Sequence, residues 1–230
     1  MEKTFNQNRN WVYRAVSLLS FNGGFVNSIT FVGFLHNPVP IGYVTGNITM
    51  AASNLTEGNL SEFMYLIYAI ACFLFGSIIT GIIIPQDNFK RNNKYNLVFI
   101  LEVSLILLGM IGLLLNFTQT KYFLAMALGV QNALTTFYGK SIIRTTHMTG
   151  TMTDLGISIA HKLKGHTVPV WKFNIYLFLI GGFFIGSIIG IMFFKLIGYY
   201  SLIVSILICT IMLKFKTYPK NLFQEEDLEK

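Results

Sequence analysis

The sequence predicts an all-α polytopic membrane bundle of six transmembrane helices, built as two inverted repeats of three, each with a short re-entrant half-helix. Three observations predict this fold. The composition is strongly apolar, with 53% hydrophobic residues, 12% charged residues and a mean hydropathy of +0.57, which excludes an ordinary soluble domain. The basic residues divide unequally between the two sides of the predicted membrane, and three short motifs recur in both halves of the chain.

Six apolar runs are each long enough for a spanning helix, because about 20 residues at ~1.5 Å per residue match a hydrocarbon layer of about 30 Å. These runs cover residues 15–35, 63–84, 97–115, 121–138, 173–194 and 196–213. The first run is too long for a signal-peptide core and has no small-residue cleavage site behind it, so we expect it to be retained. Two shorter and more polar segments lie between the runs, at 43–55 and 147–161.

The distribution of lysine and arginine indicates whether the two short segments cross the membrane. If they do not cross, 15 of the 17 basic residues lie on the cytoplasmic side with both termini, and only Lys121 and Lys195 lie outside. If both segments cross, giving eight spans, the division is 11 to 6. The six-span arrangement therefore agrees better with the rule that cytoplasmic loops carry the positive charge.

Composition and motifs also exclude several classes of function. The formal charge of +7 comes from residues at the ends of apolar runs, which report orientation rather than a nucleic-acid surface. Cys72 and Cys209 fall inside apolar runs without metal-ligand spacing, and we interpret them as packing residues. Since the sequence has no nucleophile elbow, zinc-protease motif, phosphate loop or paired carboxylates at helical spacing, we expect no enzyme, metal or cofactor.

Three motifs recur in the same order in the two halves. GFVNSITF at 24–31 matches GVQNALTT at 129–136, TGNIT at 45–49 matches TGTMT at 149–153, and FGSII at 75–79 matches IGSII at 185–189. Because each half holds three crossings, the second copy enters the membrane inverted, as in many transporters. The predicted parts are a cytoplasmic N-terminal segment, two repeats and a cytoplasmic C-terminal tail, at 1–14, 15–115, 116–214 and 215–230.

The two short polar segments are predicted to be re-entrant half-helices. Pro38 and Pro40 disfavour a helix before Thr45, which would then be the N-cap of a half-helix over 46–55. Thr149 would have the same role in the second half. Irregular backbone at membrane depth must be buried in protein or line a wet cavity. We therefore expect both helix N-termini near the membrane middle, beside a polar cavity.

Small residues repeat every four positions on the long helices, and this spacing is typical of close helix packing. The repeats are Ser20, Gly24 and Ser28, then Ala125, Gly129 and Ala133, and then Gly182, Gly186 and Gly190. We interpret these stripes as helix contacts rather than as part of a solute path.

These motifs resemble those of the YoaK-like family of uncharacterised bacterial membrane proteins. The resemblance rests on GFVNSITFVGF followed by VTGNIT in the first half, and on GVQNALTTF and RTTHMTGTMTDLG in the second, and it covers nearly the whole chain. It implies a multi-pass protein of the bacterial cell (inner) membrane, and the charge count predicts that both termini are cytoplasmic. The resemblance implies no established activity, so function must be predicted from the polar residues themselves.

The residues expected at the two half-helix starts form a candidate solute site. Their backbone amides, hydroxyl groups and side-chain amides favour oxygen-rich or anionic groups. The alternative is that they cap and pack their own helices. The candidate substrate-binding residues are Asn27, Thr45, Gly46, Asn47, Gln131, Asn132, Thr149, Gly150 and Thr151.

Three titratable residues are candidates for proton coupling, because ionisable groups at membrane depth are costly. They are Glu102, Asp154 and His147. Each also has a structural interpretation: Glu102 as a carboxylate bonded to a neighbouring helix, Asp154 as a partner for the positive end of its half-helix, and His147 as an ordinary hydrogen-bonded side chain.

The sequence therefore predicts a small-solute transporter or channel whose polar site lies at the membrane midplane. Its expected partners are the lipid bilayer and a small polar or anionic solute, with no nucleic acid, and a homo-oligomer is compatible with the composition. The alternative is a non-transporting scaffold or regulator that binds other membrane proteins. A scaffold needs no wet cavity, and this difference separates the two hypotheses.

Overall fold

The computed structural model describes residues 2–33, 40–84, 93–138 and 143–214. Over these residues the chain is helical and contains no strand, which confirms the predicted all-α class. The eight described α-helices are α1 Glu2–Gly33, α2 Val44–Thr56, α3 Leu60–Ile83, α4 Asn93–Leu114, α5 Lys121–Tyr138, α6 Met148–Leu163, α7 Val170–Ile197 and α8 Leu202–Lys214. Short 3₁₀ turns at Thr118–Thr120 and Gly198–Ser201 lead into α5 and α8.

Four helical segments of the described chain are long and apolar enough to cross a membrane. They are Asn10–Gly33, Leu60–Ile83, Lys94–Leu114 and Val170–Leu213, and the last includes both α7 and α8. Helix α5 covers its predicted range of 121–138 but is not among the four, because Lys121, Gln131 and Asn132 lower its mean hydropathy. By length and composition, these helices are those of a membrane protein.

Several predicted boundaries differ from those observed. Helix α1 begins at Glu2 rather than near residue 15. Helix α7 continues through Ile197, and the chain turns at Gly198, which has φ 59°, rather than between residues 194 and 196. Lys195 therefore lies in the last turn of α7, where a cation is favoured by the negative end of the helix dipole.

Helices α2 and α6 occupy the two short polar segments and are shorter than the long helices. Helix α2 has 13 residues and α6 has 16, so they are about 20 and 24 Å long, less than the roughly 30 Å of a hydrocarbon layer. Pro38, residues 85–92, residues 139–142 and the tail at 215–230 lie outside the described residues.

The predicted N-caps of the half-helices are wrong by two residues. The cap positions are Tyr43 and His147, neither of which makes a side-chain capping bond, and Thr45 and Thr149 lie inside the first turns. The helix starts earlier because a turn precedes it: the Tyr43 N–H donates to the Pro40 carbonyl at 3.0 Å. The two cap side chains instead cover Gly46 and Gly150, where an added Cβ would overlap the Tyr43 and His147 rings.

The two half-helices end in the same way. Gly58 and Gly165 adopt left-handed φ values of 77° and 81°, which glycine reaches without a steric penalty. The next residue then folds back: the Asn59 N–H donates to Asn54 O at 2.8 Å, and the His166 N–H donates to His161 O at 3.0 Å. This arrangement satisfies carbonyl groups at each helix end and turns the chain towards α3 and α7.

Helix α1 packs closely along α7. An added Cβ on Gly24 would overlap the Phe183 carbonyl of α7, and one on Gly186 would overlap the Phe21 carbonyl of α1. The Ser187 hydroxyl also donates to the Gly24 carbonyl at 3.3 Å. The small-residue stripe of α7 therefore lies in this contact and lets the two backbones meet.

Helix α3 packs along α5 through corresponding residues. An added Cβ on Gly129 would overlap the Phe73 carbonyl of α3, and one on Gly76 would overlap the Met126 carbonyl of α5. The Ser77 hydroxyl donates to the Gly129 carbonyl at 3.1 Å. The repeated FGSII and IGSII motifs thus make equivalent backbone contacts with the two helices that open the repeats.

The main apolar core lies among α1, α4, α5 and α8. On these helices, its largest fully buried members are Phe25, Ile29, Phe99, Ile106, Leu124 and Leu128. Helices α4 and α8 contact one another and close the bundle against α5 and α1, respectively. The half-helices α2 and α6 pack on α3 and α7, which brings their N-terminal ends towards the centre.

Candidate functional site

A cavity of about 360 Å³ lies where the N-terminal ends of α2 and α6 meet. The long helices α1, α3, α5 and α7 and the two chain segments that lead into the half-helices complete its walls. The described lining residues are Asn27, Pro40, Gly42, Tyr43, Val44, Thr45, Phe73, Asn132, Thr146, His147, Met148, Thr149 and Phe183. Both TG-containing motifs therefore contribute to the same cavity.

Two matched asparagines hold the chain segments that enter the half-helices. The Asn27 side-chain oxygen accepts the Gly42 N–H at 2.8 Å, and the Asn132 oxygen accepts the Thr146 N–H at 3.4 Å. Both side chains are half-buried and line the cavity. Because each oxygen is engaged, the NH₂ group of each amide remains as a donor for a solute.

The half-helix N-termini give the cavity a positive potential. The first N–H groups of a helix have no partner within the helix, and each N-terminus carries roughly half a positive charge. The first-turn residues Val44 and Thr45 of α2 and Met148 and Thr149 of α6 line the cavity. No Asp, Glu, Lys or Arg is among the described lining residues. The cavity therefore offers hydrogen-bond donors without a counter-charge for a bare cation.

Aromatic side chains form the remaining walls, and these were not predicted from the sequence. Phe73 of α3 and Phe183 of α7 occupy matched positions three residues before Gly76 and Gly186. Extending the FGSII repeat by two residues towards the N-terminus would have identified both phenylalanines. Tyr43 lines the cavity as the counterpart of His147, and it was missed because the two residues have different chemistry.

Four of the predicted site residues lie beside the cavity rather than in its lining. Asn47 is fully buried and donates to the Pro40 carbonyl at 3.4 Å. The Thr151 hydroxyl donates to the His147 carbonyl at 2.9 Å. Gly46 and Gly150 lie beneath the rings of the N-cap residues Tyr43 and His147. In this structure these residues support the turns that carry the lining residues.

Gln131 lies in a separate, fully buried polar network. The Asn22 side-chain NH₂ donates to the Gln131 oxygen at 2.7 Å. The Gln131 NH₂ donates to the Leu19 carbonyl and to the Thr145 hydroxyl, each at 2.9 Å. This network connects α1 and α5 to the segment before α6. Its end at Thr145 is one residue from Thr146, which lines the cavity.

Glu102 joins the same network from α4. Its side chain is 1% exposed, its Oε1 atom lies 3.4 Å from the Asn22 NH₂, and its Oε2 atom has no hydrogen-bond partner among the described residues. From α8, the Ser205 hydroxyl donates to the Asn22 oxygen at 2.6 Å, and the Cys209 sulfur lies 3.5 Å from the Asn22 nitrogen. The carboxyl group thus lies inside the bundle, where four helices meet.

The other two proton-coupling candidates lie elsewhere. His147 lines the cavity and is exposed. Asp154 lies on the exposed face of α6, outside the described cavity lining. The structure therefore separates the three candidates: one in the cavity, one in the buried network and one on the surface of the half-helix.

The long apolar helices place the chain in the class of helical membrane proteins. Its sequence matches a family model described as a protein of unknown function, DUF1275, over residues 15–214. The chain belongs to this family. No curated protein and no solved structure matches the chain.

Proposed function

We propose that this protein is a small-solute transporter or channel of the bacterial cell (inner) membrane, of the YoaK-like type. The observation that carries the proposal is the cavity between the N-terminal ends of α2 and α6, lined by the matched amides of Asn27 and Asn132. A scaffold that only binds other membrane proteins has no need of a cavity with matched polar groups in its lining, because burying polar groups away from water is costly.

The proposed architecture is a six-span bundle of two inverted repeats, at 15–115 and 116–214. The relative direction of α1 and α5 supports it. Ala15 borders the same small apolar cavity as Thr135, whereas Asn22, two turns further along α1, bonds Gln131, one turn earlier on α5. Helices α1 and α5 therefore run antiparallel to each other. Inverted repeats require this antiparallel arrangement, whereas eight alternating spans would make the two helices parallel.

The expected solute is a small neutral polar or anionic molecule. The cavity offers two amide NH₂ groups and two helix N-termini, which favour oxygen acceptors. Asn27, Thr45, Asn132 and Thr149 are the proposed contacts. The proposed supporting residues, which shape the chain around these contacts, are Gly46, Asn47, Gln131, Gly150 and Thr151.

A proton is the proposed coupling ion. His147 would exchange it within the cavity, and Glu102 would bind it in the buried network. The hydrogen bonds from Asn22 through Gln131 to Thr145 connect Glu102 to the residue next to the cavity wall. Within the described residues, the Cys209 thiol is the titratable group beside this carboxyl. Asp154, on the exposed face of α6, is the third proposed group.

Transport by reconstituted protein tests the proposal. Proteoliposomes are loaded with a panel of small metabolites, and uptake and efflux are measured with and without a pH gradient. We expect at least one polar or anionic solute to move, and the double change Asn27→Leu with Asn132→Leu to slow its transport by about tenfold or more, because two hydrogen-bond donors are lost. The matched change Asn54→Leu, at the far end of α2, should leave the rate unchanged.

Accessibility of the cavity separates the transporter from the scaffold. Single cysteines at Thr45 and Thr149, in a background without Cys72 and Cys209, should react with a membrane-impermeant thiol reagent. A cysteine at Ile78, on the exposed apolar face of α3, should not react. If no solute moves in well-folded protein and both cavity positions remain unreactive, the scaffold function replaces the transporter.

A further inference from the structure

A second concave surface lies outside the central cavity, between α1 and α7. It is an open groove of about 750 Å³. Asn10, Tyr13 and Arg14 form one end of the groove, and Phe21, Phe178 and Ile185 continue it along the two helices. From Arg14 to Phe21 the groove follows α1 for about 10 Å. It therefore has a polar end and a long apolar body.

The polar end carries an exposed positive charge. Arg14 is exposed, and no acidic residue forms an ion pair with it among the described residues. Beside it, the Tyr13 hydroxyl accepts a hydrogen bond from the Asn174 NH₂ at 3.3 Å. A guanidinium group presents several donors in a geometry that suits a phosphate oxygen pair. An anionic group bound at this end of the groove would pair with Arg14. The apolar body of the groove would not accept a second charged group.

The corresponding surface, between α3 and α5, is built differently. The FGSII repeat places Cys72 where Gly182 lies in the groove, and the GFVNSITF repeat places Tyr122 and Gln119 where Ser17 and Arg14 lie. The Tyr122 ring lies 6.0 Å from the Tyr68 ring. Larger side chains therefore occupy the equivalent space at the α3–α5 contact, and Gln119 stands where the α1–α7 groove has Arg14.

We propose that this groove binds an anionic phospholipid. The phosphate lies at Arg14, and one acyl chain lies along the apolar walls formed by Leu18, Phe21 and Phe178. The groove opens on the apolar surface of two candidate membrane spans, where lipid is the solvent. Arg14 lies towards the N-terminal end of the span that begins at Asn10, at the level where headgroups meet the bilayer. This binding does not depend on transport activity.

Native mass spectrometry of the full chain tests the proposal. The detergent-purified protein is mixed with phosphatidylglycerol or phosphatidylcholine of identical acyl chains, and bound lipid is counted. We expect phosphatidylglycerol to be preferred about fivefold, the contribution of one arginine near anionic headgroups. Arg14→Gln should remove the preference. The charge-matched change Lys164→Gln, at the exposed end of α6, should retain it.

Two further arms separate a lipid from a free anion. Ser17→Tyr copies the residue of the other half and should reduce binding of both lipids by filling the groove; if this variant does not fold, the exposed Arg14→Gln change decides alone. Inorganic phosphate should not displace phosphatidylglycerol, since it has no acyl chain. Equal binding of the two lipids by the parent, an unchanged preference in Arg14→Gln, or displacement by phosphate would each overturn the proposal.

Discussion

Asn22 is the central residue of the buried polar network, because its side chain contacts residues on three other helices. Its NH₂ group lies between the Gln131 oxygen at 2.7 Å and the Glu102 Oε1 atom at 3.4 Å, and its oxygen accepts the Ser205 hydroxyl at 2.6 Å. A buried polar group that loses its partner costs about 1–3 kcal/mol. The stability of the bundle should therefore depend on this amide.

We expect Asn22→Leu to destabilise the protein by about 1–3 kcal/mol, because Gln131 and Ser205 lose their partner. Thermal unfolding in detergent measures the effect. The control is Asn54→Leu, since the Asn54 amide donates to the Met50 carbonyl of its own helix at 2.8 Å and takes no part in the buried network. Equal melting temperatures for the two variants would show that the network contributes little to stability.

We predict that Glu102 is needed for proton coupling but not for folding. Glu102→Gln keeps the size and retains an acceptor for Asn22, so the protein should fold and transport its solute. Transport should no longer respond to a pH gradient if this carboxyl carries the proton. Uptake by Glu102→Gln and His147→Gln proteoliposomes over a pH series identifies the coupling group. A pH response that persists in both variants would leave Asp154 as the remaining candidate.

At the scale of the helix, the contacts between α1 and α7 and between α3 and α5 depend on the absence of side chains. Gly186→Ala would place a Cβ against the Phe21 carbonyl, so the helices must separate. We expect destabilisation of about 1–3 kcal/mol, typical of overpacking. Gly181→Ala, on the same helix with no atom within 4 Å of the added Cβ, is the control and should be neutral.

The observed starts of α2 and α6 predict that Thr45 and Thr149 contribute little to helix stability. Because Tyr43 and His147 occupy the cap positions and make no side-chain cap bond, neither Thr45 nor Thr149 caps its helix. Thr45→Val and Thr149→Val should therefore change the free energy of unfolding by less than about 0.5 kcal/mol, below the usual cost of losing a cap. A loss of about 1 kcal/mol or more in either variant would contradict the observed helix starts.

At the scale of the whole molecule, the six-span topology predicts which loops share a side. Both termini and the loop at 86–95 should be cytoplasmic, and residues 56–62 and 116–120 should face outside. Reporter fusions at each loop, read by an enzyme active on only one side of the membrane, check this. A reporter at 86–95 that is active outside would refute both the six-span topology and the inverted repeat.

The candidate site was predicted from the sequence in outline but not in its full composition. The repeats placed Asn27, Thr45, Asn132 and Thr149 together, and the structure brings all four into one cavity lining. Gln131 neighbours Asn132 in sequence, but successive residues on a helix point about 100° apart. Its side chain therefore enters the buried network instead, as only the packing of the neighbouring helices reveals.

The sequence by itself determined the helical class, the apolar character of the long helices, the two short polar helices and the matched motifs. These properties follow from composition, apolar length and repetition, which are local or nearly local. Tertiary structure decided which side chains meet. It placed Glu102 beside Asn22, covered Gly46 and Gly150 with aromatic rings, and opened a groove beside Arg14. Such contacts depend on how distant helices pack, and no spacing along one chain segment specifies that geometry.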